Sequence, residues 1–116
     1  LGAAAIQTAK EVDEEVKRFI PNLDSIPVEN GRRILQDRAF KELKETTTEK
    51  QEQIAEARQR LSEAQSAGSE ENQRAALKQV QQAQAAQSEM IKEISARLDA
   101  QIKALERMKG ASPADH

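Results

Sequence analysis

The chain has 116 residues, with 18 basic and 20 acidic side chains and a net charge of −2. Leu, Ile, Val and Phe together number only 22, against 19 Ala, 15 Glu and 13 Gln, which excludes a thick single core, while the low net charge argues against disorder. The absence of Cys excludes disulfides, thiolate zinc sites and cysteine nucleophiles.

The first predicted helix runs from about Gly2 to Ile20. Ile6, Ala9, Val12, Val16, Phe19 and Leu23 recur at spacings of three and four, which makes one apolar stripe. Lys17 and Arg18 lie near its C-terminus, where the helix dipole favours cations. Pro21 ends it, and Pro21 to Gly31 reads as a connector with Asn-Leu-Asp-Ser turn chemistry. The second helix is predicted over about 32–65, although Ser25 and Pro27 offer an earlier start with Gly31 inside. Its stripe is Phe40, Leu43, Thr47, Lys50, Ile54, Ala57, Leu61 and Ala64, a heptad seam. Gly68 then supplies a left-handed C-cap and Ser69 an N-cap.

The third helix is predicted over about 70–109. Its stripe is Leu77, Val80, Gln84, Gln87, Ile91, Ile94, Leu98, Gln101, Leu105 and Met108. Gly110 and Pro113 stop it, and residues 111–116 read as a disordered tail. The only histidine, His116, is read with that tail as a frayed end rather than a ligand.

Two long helices of similar length joined by a short break predict an antiparallel hairpin. Folding about Gly68 and Ser69 pairs residues whose numbers add to roughly 138. Leu61 then meets Leu77, Thr47 meets Ile91, Leu43 meets Ile94 and Phe40 meets Leu98. The expected fold is all-α: a long antiparallel coiled-coil helical hairpin with a shorter N-terminal helix packed at its open end, a three-helix bundle in one domain over 1–110. The first helix is placed against Arg32–Leu43 and Ile94–Met108.

The middle of the seam is polar. Thr47 and Lys50 face Gln84 and Gln87, either to fix register or to contact a partner. With Ala57 and Ala83, these are the candidate partner-binding residues. The uncharged Gln79–Gln87 tract suits association with a protein partner, including a copy of itself, so a homo-oligomer is expected. The acidic clusters Glu11/Asp13/Glu14/Glu15 and Glu42/Glu45/Glu49/Glu52/Glu56 lie off the stripes and read as solvated faces. No internal His accompanies them, so no metal site is expected. No cofactor and no catalytic residue is assigned. Balanced charge and two aromatics argue against nucleic acid. No apolar run approaches the ~20 residues of a transmembrane segment. The chain opens at Leu1 rather than Met, which reads as processed or trimmed.

The run Val16-Lys17-Arg18-Phe19-Ile20-Pro21, the hairpin with Ile54-Ala55-Glu56-Ala57, and the Gln/Ala-rich return Gln79–Gln87 resemble the minor pilin subunits of bacterial type IV secretion systems. The resemblance covers about Lys41–Met108 and rests mostly on composition. It departs in lacking a larger globular part and any Cys. It implies a periplasmic or secreted location and a role in pilus assembly or adhesion. The expected function is a non-catalytic helical interaction protein. A periplasmic holdase-like chaperone is one alternative. Another is a small all-helical enzyme of the chorismate mutase type, binding a dianion through Arg32, Arg33, Arg38, Lys41, Arg97 and Gln101.

Overall fold

The computed structural model describes residues 7–110. The expected tail over 111–116, and Ile6 with the first residues of the first helix, lie outside the described residues. The described chain is all-α, with three helices and no strand. Helix α1 spans Ala9–Phe19, α2 Val28–Ala67 and α3 Glu70–Met108, with a 3₁₀ turn at Leu23–Ser25. The contacts divide the chain into two compact units. Unit 1 takes residues up to Lys41 and from Glu93 onward; unit 2 takes Glu42–Lys92.

Each helix end has a local cause. Thr8 caps α1: its hydroxyl accepts from the Glu11 backbone N–H at 3.2 Å, and Glu11 accepts in return from the Thr8 backbone N–H. Such a reciprocal capping box satisfies two donors that the first turn leaves open. Between α2 and α3, Gly68 takes φ +70°, a left-handed conformation that costs glycine little. Ser69 then caps α3 by accepting from the Asn72 N–H at 3.3 Å.

Helix α2 begins at Val28, four residues before the expected start. The Pro27 carbonyl accepts from the N–H groups of Asn30 and Gly31, so the connector closes directly into the helix. Gly31 is unfavourable by intrinsic propensity, and packing overrides that. A Cβ built on Gly31 would lie 2.8 Å from Leu105 Cδ2. The missing side chain therefore lets α2 and α3 approach. Because Leu105 is fully buried, Gly31→Ala forces an overpacked site. We expect a net loss of about 1 kcal/mol, after an overpacking cost of about 2 kcal/mol and a helix-propensity gain of about 1 kcal/mol. A chemical melt followed by circular dichroism checks it.

Unit 1 is a three-helix bundle. Val12, Val16 and Ile20 of the first segment pack with Leu23, Leu35, Ala104 and Leu105, and Leu98, Ile102 and Met108 adjoin them. The expected docking of the first helix against these parts of α2 and α3 is therefore what the structure contains. Polar groups reinforce it. Arg107 donates to both oxygens of Asp13, at 2.5 and 3.3 Å. Gln101 donates to Glu15, which also accepts from Gln7 at 3.0 Å. Lys109 Nζ donates to the Leu23 carbonyl at 2.7 Å. Hydrogen bonding and charge attraction from Asp13 raise the Arg107 pKa above its ordinary value. Asp13 and Glu15, expected on a solvated face, instead fasten α1 to α3. Their partners lie far along the chain, so no local spacing announces them.

Unit 2 is an antiparallel hairpin of α2 and α3. Its seam is narrow: Ile54, Ala57 and Ala64 on α2 are buried, with Ala76 and Val80 on α3. Ala83 and Met90 are half-buried on the same side of α3. The expected α3 stripe holds at Val80 and Gln87, and at Ile94, Leu98, Gln101, Leu105 and Met108 in unit 1, but gives Val80 and Gln87 the wrong neighbours. Leu77 is 47% exposed, Ile91 is 39% exposed and Gln84 is also exposed. Alanine faces the partner helix because a methyl group lets two backbones approach closely, whereas Leu and Gln hold them apart.

Phe40 departs from expectation within unit 1. It is 71% exposed, not paired with Leu98, and Ala39 takes the buried position. Phe40 stands one position past the buried Ala39, about 100° round the helix from it, and so points away from the core.

Candidate functional site

Hydrogen bonds fix the hairpin register in each unit. Arg60 donates to Gln79 Oε1 at 3.3 Å in unit 2. In unit 1, Arg32 donates to Glu106 Oε2 through Nε at 3.2 Å and Nη2 at 2.7 Å. Both pairs obey the expected numbering sum to within about one.

The candidate residues fall into different environments. Ala57 is buried in the seam and Ala83 half-buried there. Thr47, Lys50 and Gln87 are half-buried along the same line, and Gln84 is exposed outside it. Lys50 donates to Gln53 on its own helix at 3.4 Å. The structure thus brings five of the six onto one line but leaves Ala57 little surface for a partner.

Unit 2 has two distinct sides. Leu61, Gln65, Glu70, Arg74 and Leu77 line a shallow groove on one. Arg60, Glu63, Ala64, Ala76 and Gln79 line another. Residues seven apart on a helix share a side. Stepping back from Gln65 gives Arg58, Gln51 and Lys44; stepping on from Leu77 gives Gln84 and Ile91. That side joins exposed apolar groups to uncharged amides and basic residues. Stepping back from Glu63 gives Glu56, Glu49 and Glu42. The second side is therefore acidic along α2. The sequence placed Glu42, Glu49 and Glu56 on a solvated face; Glu49 and Glu56 are exposed, as is Glu63, whereas Glu42 is half-buried. The apolar row was missed because its members were assigned to the seam.

Part of the set expected for an anion pocket is engaged internally in unit 1, while Arg33 and Lys41 are exposed. Arg32 pairs with Glu106. Gln101 is buried against Glu15. The Arg38 guanidinium lies 3.7 Å from the Phe19 ring centroid, a cation–π contact. Arg97 is also engaged in an interaction. Among the described residues, no group of three or more His, Asp or Glu is placed to hold a metal ion. No buried side-chain polar atom there lacks a hydrogen-bond partner, and no helix is long and apolar enough to cross a membrane.

No known family, curated protein or solved structure matches this chain.

Proposed function

We propose that the chain is a non-catalytic helical interaction and assembly protein that works through the hairpin of unit 2. The observation carrying this reading is the exposed row Leu77-Gln84-Ile91 beside a seam filled by alanine. Large apolar groups are scarce in this sequence, yet in unit 2 Leu77 and Ile91 face solvent while Ala57, Ala64 and Ala76 share the seam with Ile54 and Val80. Apolar side chains grouped on one side with uncharged amides form a surface suited to another helix. The internal pairing of Arg32, Arg38 and Gln101 weighs against the enzyme alternative. The compositional resemblance to minor pilin subunits supports a role in an exported assembly, in the periplasm or at the cell surface.

A photo-crosslinking amino acid at Gln84, in cells of the native host, tests the reading. A discrete protein adduct is expected from position 84, and none from the exposed Arg33 of unit 1. Absence of any adduct from 84, or equal labelling from both positions, overturns it.

A further inference from the structure

We propose that unit 2 docks face to back on a second copy of this chain, its apolar and basic side seated on the acidic side of the next copy. This rests on the assembly reading above and names the partner.

Three observations carry it. The first side presents Leu77 and Ile91 with Lys44, Arg58 and Arg74, and Glu70 is the acid that lines it. The second presents Glu49, Glu56 and Glu63, all exposed, and Arg60 is the cation that lines it. Charge complementarity therefore exists within one molecule, between its own opposite sides. The dimensions also match. Leu77 to Ile91, Lys44 to Arg58 and Glu49 to Glu63 each span two heptads, about 21 Å of helix.

Charge selects the geometry as well. A two-fold pairing of the first side with itself would oppose Lys44, Arg58 and Arg74 to their own copies, and like charges across an interface disfavour that arrangement. Face-to-back docking opposes lysine and arginine to glutamate. It is heterologous, so each copy retains one open side of each kind, and the contact repeats rather than closing on a pair.

Sedimentation velocity on the full chain tests this. At low salt the wild type is expected to associate progressively with concentration. At about 0.5 M salt the association weakens by about tenfold or more, because exposed charges are screened. The double variants Lys44→Glu/Arg58→Glu and Glu49→Lys/Glu56→Lys each remain monomeric alone, with unchanged helical circular dichroism. Mixed in equal amounts, they associate again in a one-to-one ratio, because every junction between the two variants pairs an acidic side with a basic one. A two-fold interface through the first side would instead leave Glu49→Lys/Glu56→Lys associating alone as the wild type does, because that variant keeps the first side unchanged.

A wild type that stays monomeric at low salt overturns the proposal, as does a mixture that stays monomeric. A neutral variant, Leu77→Gln/Ile91→Gln, weakens association at both salt concentrations; unchanged association there also overturns it. If the wild type is monomeric while position 84 crosslinks to a different protein, the face-to-back contact fails and the assembly reading stands.

Discussion

Leu105→Ala is expected to cost about 3 kcal/mol of folding stability and to lower the melting temperature by roughly 15 °C. Leu105 is fully buried and central to the bundle of unit 1. It fills the space that Gly31 leaves open on α2. Truncation removes the transfer energy of the side chain and leaves a cavity opposite a glycine. Ile20, Leu35, Ile94 and Val16 are the other large side chains that are fully sequestered. With so few, each carries a large share of the stability. A urea melt followed by circular dichroism reads the change, and a loss under about 1 kcal/mol would contradict the central position of Leu105.

The second large effect concerns Arg32 and Glu106. Glu106 is 5% exposed and accepts two N–H groups of Arg32. Glu106→Leu takes away that carboxylate, and Arg32→Met takes away the matching cation. Each single change is expected to cost about 3 kcal/mol, because desolvation of the remaining charge is no longer offset by its partner. The double change, which replaces the pair by apolar groups of similar size, is expected within about 1 kcal/mol of the wild type. The double-mutant cycle measures the coupling directly. Additive single effects would show that the pair is not an energetic unit.

Much of the fold follows from local chemistry visible in the sequence. Gly68 and Ser69 carry the turn and the cap. Pro21 ends the first segment, and Val12 and Val16 define its buried side. The antiparallel register follows from the turn position alone. What local spacing does not decide is which of two adjacent stripes faces the partner helix. Val80, Gln87 and Ile94 belong to both candidate stripes of α3. The choice between Leu77 and Ala76 depends on how closely α2 approaches, which is a property of the pair of helices. The bulky-residue rule picks Leu77, and close packing picks Ala76. The error on Phe40 is of the same kind, since Ala39 and Phe40 compete for one buried position and the smaller residue takes it. Asp13 and Glu15 were misassigned because a surface carboxylate and one that fastens two helices look alike until Arg107 and Gln101 are brought beside them.

The candidate surface was legible only in part. The Gln/Ala tract pointed to α3 as an association element, and Gln84 does lie on the exposed row. Ala57 does not, because a small apolar residue serves a seam better than a surface. The row of glutamates on α2 was visible as a cluster, yet its meaning depends on what the opposite side of the hairpin carries.

The alanine seam has a dynamic consequence. A methyl group buries little area, so the layers around Ala57, Ala64 and Ala76 contribute less to cooperative stability than those around Leu35 and Leu105. Each long helix therefore passes, without a break in its backbone ladder, from a strongly protected zone into one held by weak side-chain anchors. Amides near Thr47, Lys50 and Gln87 belong to the low end of the local-opening spectrum, where fluctuations occur without global unfolding. Under the function proposed above, such a hairpin adjusts its helix spacing to a partner while the bundle residues stay ordered.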